Sequence, residues 1–259
     1  MDKIIRVNSR TGGVEIQSAT EDLKRICGRY FIAHILNAAV EPTCEPLGRK
    51  NKLIISQGWF ADTNLPTASK ISIGGKSPLT GGIKESNTGG FFGRRLARLG
   101  IKAVIIEDIP KDISIPKVLF ISDEEIQLMD FADLKYQMVS RAIALIKQKY
   151  GNDVGMLLIG PAGERLMCAA GIACPDDKGL QMRYAGRGGL GALLGSKGIK
   201  AVVVSAKHSE PADIYDPVLM TATIKEITRI LAGDPKSKNR KLYGTLDILE
   251  AANQMGLMP

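Results

Sequence analysis

An internal repeat restricts the fold of this chain more than any other feature. Gly93–Ile106 (GRRLARLGIKAVII) lines up without a gap on Gly191–Val204 (GALLGSKGIKAVVV), at an offset of 98 residues. Each copy ends in Gly-Ile-Lys-Ala-Val and two aliphatic residues, and each follows a glycine-rich loop. At the same offset Gly90 falls on Gly188, Phe92 on Leu190 and Asn87 on Ala185. A constant offset over this length implies two similar β-rich half-domains related by an approximate two-fold axis, each presenting a glycine-rich loop at the start of a helix. The fold class expected is therefore α+β: a β-rich, pseudo-two-fold domain over residues 1–208, followed by the start of a helical domain over 209–259.

Local patterns fill in the halves. Lys3–Asn8 and Val14–Gln17 alternate about Thr11-Gly12-Gly13 and read as a hairpin. Ser18 and Glu21 read as a capping box for a helix over Glu21–Cys27; Gly28 interrupts it, and a second helix follows over Phe31–Ala39. Strands are expected over Asn51–Ser56, Ala68–Ile73, Ala103–Glu107 and Val154–Ile159, with a hairpin over Val118–Ile126. Helices are expected around Leu96, across Phe131–Tyr150 on the spacing of Leu134, Met138, Ala142, Leu145 and Ile146, and over Leu246–Met255. Ser77–Gly90, dense in Gly, Ser, Thr and Asn, reads as an ordered loop.

Composition and motifs exclude several functions. The chain carries 28 Gly in 259 residues, well above the usual ~7%, which calls for sharp turns or close backbone approach. A net charge of +8 favours an anionic partner, but the basic residues are interspersed with acidic ones and aromatics are 5%, so nucleic acid is not expected. Apolar runs fall far short of the ~20 residues of a membrane span, and the N-terminus lacks a secretion signal, so a cytoplasmic protein without membrane contact is expected. Cys27, Cys44, Cys168 and Cys174 form no C-x-x-C pair and read as reduced, mostly buried thiols. Gly186–Gly191 (GRGGLG) matches a dinucleotide fingerprint, but the polar run 176–183 before it is not the apolar strand that motif needs. Gly75-Lys76-Ser77 lacks the first glycine of a P-loop, Lys70 standing in its place. There is no G-x-S-x-G; His34 and His208 lack metal-ligand spacing; and Glu85, Glu107, Asp108, Asp176 and Asp177 read as solvated or turn-forming carboxylates. What remains is a matched cradle for a pair of phosphates or one ligand with two anionic arms. Arg94, Arg95 and Arg98 flank one loop, and Arg183, Arg187 and Lys197 the other.

The runs Ile5–Asn8, Asn51–Ile55, Lys76–Gly81 (KSPLTG), Asn87–Gly93 (NTGGFFG), Ile159–Glu164 (IGPAGE) and Ala185–Ala192 (AGRGGLGA), with Gly195-Ser196-Lys197 and Lys200-Ala201, agree in order and spacing with one family. The sequence resembles the N-terminal domain of the aldehyde:ferredoxin oxidoreductases, tungsten enzymes that hold a bis-pterin cofactor, over about its first 205 residues. The resemblance implies that two pterins lie on this domain and ligate tungsten or molybdenum through their sulfurs. A Mg²⁺ ion would bridge the two pterin phosphates, held by the backbone carbonyls of Asn87 and Ala185. Lys70, Gly89, Gly90, Arg183, Gly186, Arg187 and Gly188 would line the cofactor. In the complete family enzyme an aldehyde is oxidised to a carboxylate and the electrons pass through a [4Fe–4S] cluster to ferredoxin. The cluster ligands and the catalytic residues lie beyond this chain, so no catalytic residue is assigned to it. It is expected to be inactive alone, with a second chain supplying the helical domains, and a homodimer is compatible. The alternative is a non-enzymatic module for a pterin or other phosphorylated ligand, or a remnant. Two departures stand out: Gly58–Thr63 (GWFADT) replaces a Gly-Pro-Leu-Thr-Gly-type run, and Lys70 replaces a pterin-contacting Arg, keeping the charge but not the planar fork.

Overall fold

The structure is a computed structural model that describes residues 2–176, 182–211 and 213–258; of the residues named above, Asp177 lies outside them. In chain order the first half holds β1 (Lys3–Asn8), β2 (Val14–Ser18), α1 (Glu21–Lys24), α2 (Gly28–Ala39), β3 (Leu53–Gln57), β4 (Ile71–Lys76), β5 (Ile83–Thr88), α3 (Phe92–Arg98) and β6 (Ile101–Glu107). The second holds β7 (Lys117–Ile121), β8 (Ile126–Asp130), a 3-10 turn (Ala132–Leu134), α4 (Val139–Tyr150), β9 (Gly155–Leu158), α5 (Pro161–Glu164), β10 (Ile172–Pro175), β11 (Met182–Ala185), α6 (Leu190–Ser196) and β12 (Ile199–Val204).

Each half builds a six-stranded mixed sheet of the same topology, β2-β1-β6-β3-β4-β5 in one and β8-β7-β12-β9-β10-β11 in the other. Only β1 with β6 and β7 with β12 are parallel; every other neighbouring pair is antiparallel. Even the irregularities recur. The parallel pairs skip one residue, Lys102 between Ile101 and Ala103 and Lys200 between Ile199 and Ala201. Both lysines are buried, and each ammonium donates to carbonyls of the segment entering the outer helix. Lys102 Nζ donates to Ile26 O at 2.9 Å; Lys200 Nζ donates to Gln137 O at 2.9 Å and pairs with Glu164. A central-strand lysine is tolerated there because those acceptors satisfy it.

Alternation along the strands sorts the core. In β6, Val104 and Ile106 face a central cluster while Ala103 and Ile105 face α2; in β12, Val202 and Val204 face the same central cluster while Ala201 and Val203 face α4. The central cluster takes the inner faces of both sheets together with Phe92 and Leu96 of α3 and Leu190, Leu193 and Leu194 of α6. The repeated short helices thus belong to a core that neither half could close by itself. β4 shows how tight the fit is. A Cβ on Gly74 would lie 2.4 Å from Ile32 of α2, and one on Gly75 would lie 2.4 Å from Leu193 of α6 and 2.6 Å from the Lys52 carbonyl oxygen.

Several expectations are corrected. Gly28 does not interrupt a helix but opens α2, at a φ of +53°. Ser18 stays paired with Lys3 in the hairpin, so Thr20 precedes α1 and makes no side-chain cap. The strand expected at 68–73 runs instead from Ile71 through the two glycines to Lys76. Ser77–Gly90 is not all loop: it contains β5, an edge strand whose polar alternation concealed it. The helix expected across 131–150 begins only at Val139, because Tyr136 takes a φ of +55° and the Gln137 carbonyl is committed to Lys200.

By compactness the chain divides into two units, Met1–Thr63 with Thr67–Ala212, and Asn64–Pro66 with Asp213–Pro259. The second contains α7 (Pro217–Gly233), α8 (Pro235–Tyr243), a 3-10 turn (Gly244–Ile248) and α9 (Leu249–Gln254). Asp216 and Asp234 cap α7 and α8, accepting from Leu219 N at 2.8 Å and Ser237 N at 2.6 Å. None of the described residues of these three helices is buried, and Val218, Leu219, Ile230, Leu242 and Leu249 are exposed.

Two outcomes test this packing. Gly75→Ala should destabilise the chain by about 1–3 kcal/mol through overpacking against α6, read from urea denaturation; an unchanged midpoint would mean that Leu193 is not seated on β4. Lys197, donating to Asn51 O at 2.7 Å and Gly48 O at 3.3 Å, is pushed down to about 8 by burial, from the ordinary 10.5. Between those two pH values the unfolded chain holds a proton that the folded chain lacks, so the lysine's contribution to stability rises with pH. Lys197→Met should flatten the dependence of stability on pH from 8 to 10.5, measured as urea midpoints.

Candidate anion-binding seam between the two edge strands

β5 and β11 are the last strands of their sheets and come within 8 Å of each other, Cα to Cα. Three contacts fix how they meet. Lys84 lies against Gly188, where a Cβ would be 2.3 Å from Lys84 Cγ; the Arg187 amide donates to Ser86 Oγ at 3.3 Å; and a Cβ on Gly89 would be 3.3 Å from Arg183 Cδ. These pairs step up one chain as they step down the other. The strands therefore run antiparallel across the seam, and Asn87 falls opposite Ala185–Gly186, the pair matched by the repeat offset.

Exposed polar groups line this seam. Asn87, Arg183, Gly186 and Arg187 are exposed, and Ala185 and Gly188 are buried between them. A Cβ on Gly186 would meet nothing nearer than Tyr184 Cβ at 3.9 Å, so its backbone is open to an approaching group. Gly90 is fixed from behind: its φ is +126°, and a Cβ there would lie 2.7 Å from Cys174 Sγ. Asn87 Nδ2 donates to Glu85 Oε1 at 3.1 Å, and Arg29 neutralises that carboxylate at 3.1 Å.

The cations divide into two kinds. Arg94 and Arg98 of α3 both bind the buried Asp62, at 3.2 and 3.0 Å, and Arg95 pairs with Asp153; Lys197 is buried among carbonyls. These four, expected to flank the loops, are occupied in holding the fold. Arg183, Arg187 and Lys70 are exposed and have no carboxylate partner among the described residues. Lys70 stands just before β4, in the first half.

One helix start also differs from expectation. In α6 the Gly191 amide turns inward, donating to Ala170 O at 2.8 Å. The groups at the seam suited to an anion are the guanidiniums of Arg183 and Arg187, which have no carboxylate partner among the described residues, and the open backbone at Gly186. Burial pushes the Cys174 thiol up to about 12, which keeps it protonated. Of the thiols, Cys44 and Cys174 are buried, Cys27 is partly buried and Cys168 is exposed. Glu107 is raised by burial, but Lys52 and Arg6 outweigh this and hold its carboxyl below the ordinary range. Asp108 faces Arg49 at 3.7 Å. His34 and His208 lie on the surface. Among the described residues no three His, Cys, Asp or Glu side chains could hold a metal ion, and no helix is long and apolar enough to cross a membrane. Exposed guanidiniums beside the open backbone of Gly186 fit phosphate groups, and such groups do not fit direct ligation of a soft metal.

Sequence reasoning missed Ser77, Lys84, Ser86 and Cys174, which hold the seam together. The alternation of Ile83–Thr88 was the available signal for two of them.

Known proteins share this architecture. Residues 4–206 match the family model described as aldehyde ferredoxin oxidoreductase, N-terminal domain. The tungsten-containing aldehyde ferredoxin oxidoreductase of Pyrococcus furiosus is 34% identical over 99% of this chain and 42% of its own length; that of Thermococcus kodakarensis is 33% identical with the same coverage. The chain thus spans well under half the length of these relatives. An aliphatic sulfonate oxidoreductase, WOR-like subunit, of Pyrococcus furiosus is 29% identical over 84% of the chain and 36% of its own length. The active-site complex BamBC of benzoyl coenzyme A reductase, solved with 1,5-dienoyl-CoA, superposes with a TM-score of 0.82 at 24% identity, covering 89% of this chain and 34% of that one. It shares the fold. The chain belongs to the aldehyde ferredoxin oxidoreductase family, and its residues 4–206 are that family's N-terminal domain.

Proposed function

We propose that residues 1–208 are the base on which a tungsten (or molybdenum) bis-pterin cofactor sits, and that residues 209–259 begin a helical domain. Opposed loops with a constant register suit a ligand that has two similar arms. Arg183 and Arg187 would bind the pterin phosphates, with Lys70 as a single-point cation where a fork is absent. The backbone carbonyls of Asn87 and Ala185 would hold a Mg²⁺ ion between those phosphates, and Gly89, Gly90, Gly186 and Gly188 would let the backbone approach the pterins. The bound group would supply the two-electron chemistry that takes an aldehyde to a carboxylate. This chain's own residues bind and orient it. No closely spaced cysteine set for a [4Fe–4S] cluster stands in this sequence, so such a centre and transfer to ferredoxin would depend on further domains. The exposed apolar side chains of α7–α9 support a second chain, or further domains, as the cover of that unit. A cytoplasmic location and a homodimer are compatible with this reading.

The single observation that carries the proposal is the antiparallel seam, with Asn87 opposite Ala185–Gly186 and beside it the exposed Arg183 and Arg187, which have no carboxylate partner among the described residues. A pterin or phosphate module without the metal is the second reading.

Expressed in a host that makes the cofactor and is supplied with tungstate, the chain should carry pterin and tungsten in a 2:1 ratio (about two pterins per metal, as soft sulfur ligation requires). Pterin without metal would select the second reading; neither would overturn both. Arg187→Ala should lower pterin content at limiting supply by about tenfold, the loss of one charge-assisted contact. The isolated chain should reduce no viologen with aldehyde, and turnover by it alone would refute the dependence on further domains.

A further inference from the structure

Ser77 is fully buried, yet its hydroxyl reaches across the seam into the other half. Its Oγ donates to the Gly188 carbonyl at 2.7 Å and accepts from the amides of Leu79 at 3.1 Å and Thr80 at 3.0 Å. A hydroxyl has one proton and two lone pairs. With both lone pairs taken by amides, the proton has one direction left, toward Gly188. A packing role alone would be filled at lower desolvation cost by alanine.

The carbonyl it holds belongs to a backbone that needs holding. Gly188 and Gly189 are consecutive left-handed residues, with φ of +84° and +70°. First-half residues touch both: Lys84 lies against Gly188, and a Cβ on Gly189 would be 2.9 Å from Pro78 Cγ, while from its own half the Cys168 carbonyl oxygen would lie at 2.0 Å. Ser86 adds the hydrogen bond from the Arg187 amide. The second-half loop is thus held from both sides, by its own half at Gly189 and by the first half at Arg187, Gly188 and Gly189.

We propose that Ser77 is a positioning residue: by fixing Gly188 it sets where Arg187 and the backbone at Ala185–Gly186 stand, and so joins the two anion-binding arms into one site. The inference rests on the functional reading above for the identity of the ligand, but not for the ordering of the loop.

Hydrogen–deuterium exchange and pterin content, both measured on the full 259-residue chain, separate these parts. In Ser77→Ala the Arg187 amide should exchange about tenfold faster, with exchange in β1 and β3 unchanged and pterin per chain at limiting supply reduced by about the same factor. Should that variant not fold, Ser86→Ala, which removes the outer contact, should give the same pattern at roughly threefold. An unchanged Arg187 amide overturns the proposal, and so does a loosened loop that keeps the full pterin content. If the unsubstituted chain itself carries no pterin, the functional reading fails; faster exchange in Ser77→Ala would then support loop ordering alone.

Discussion

Burial of the two sheets' inner faces against a shared pair of short helices is the constraint on which the rest of this domain depends. Phe92 and Leu96 from one half, and Leu190, Leu193 and Leu194 from the other, enter a single apolar cluster. At roughly 1.5–3 kcal/mol for each fully buried large apolar side chain, these five residues matter greatly to a domain of ordinary marginal stability. Because the helices are seated between the sheets, the loops that lead into them are carried to one place. The edge strands β5 and β11 then meet as a consequence of how the core closes.

The repetition extends to details that no packing argument alone would demand. Lys102 and Lys200 sit at the same skipped position in the same parallel pair, and both are spent on carbonyls ahead of the outer helices. Their surroundings have diverged: Lys102 lies 4.4 Å from the centre of the Trp59 ring, whereas Lys200 pairs with Glu164. The same backbone device is thus stabilised once by a cation–π contact and once by a buried ion pair.

Much of this was legible from the residues. The offset between Gly100 and Gly198 announced two halves, and both glycines do take left-handed φ, +72° and +69°. The offset also matched Asn87 with Ala185 before any geometry was known. Strand β5 was not legible, because an edge strand facing a polar seam has no apolar face to reveal its period. Nor could spacing separate the arginines. Arg94 and Arg98 flank a glycine loop as Arg183 and Arg187 do, but they are claimed by Asp62, some 30 residues away in sequence, through contacts that only the tertiary fold creates. The inward bond of the Gly191 amide was hidden for the same reason, since Ala170 approaches from another loop.

The covalent link between the halves has a thermodynamic consequence. Two separate copies of such a half could form this central cluster only by association, and their cohesion would fall on dilution. Residues 108–116 join β6 to β7 and turn that encounter into an intramolecular event, at an effective concentration of order millimolar for so short a tether. The domain's integrity is therefore independent of how much of it is present, and each half is free to specialise its own loop without having to match an identical twin.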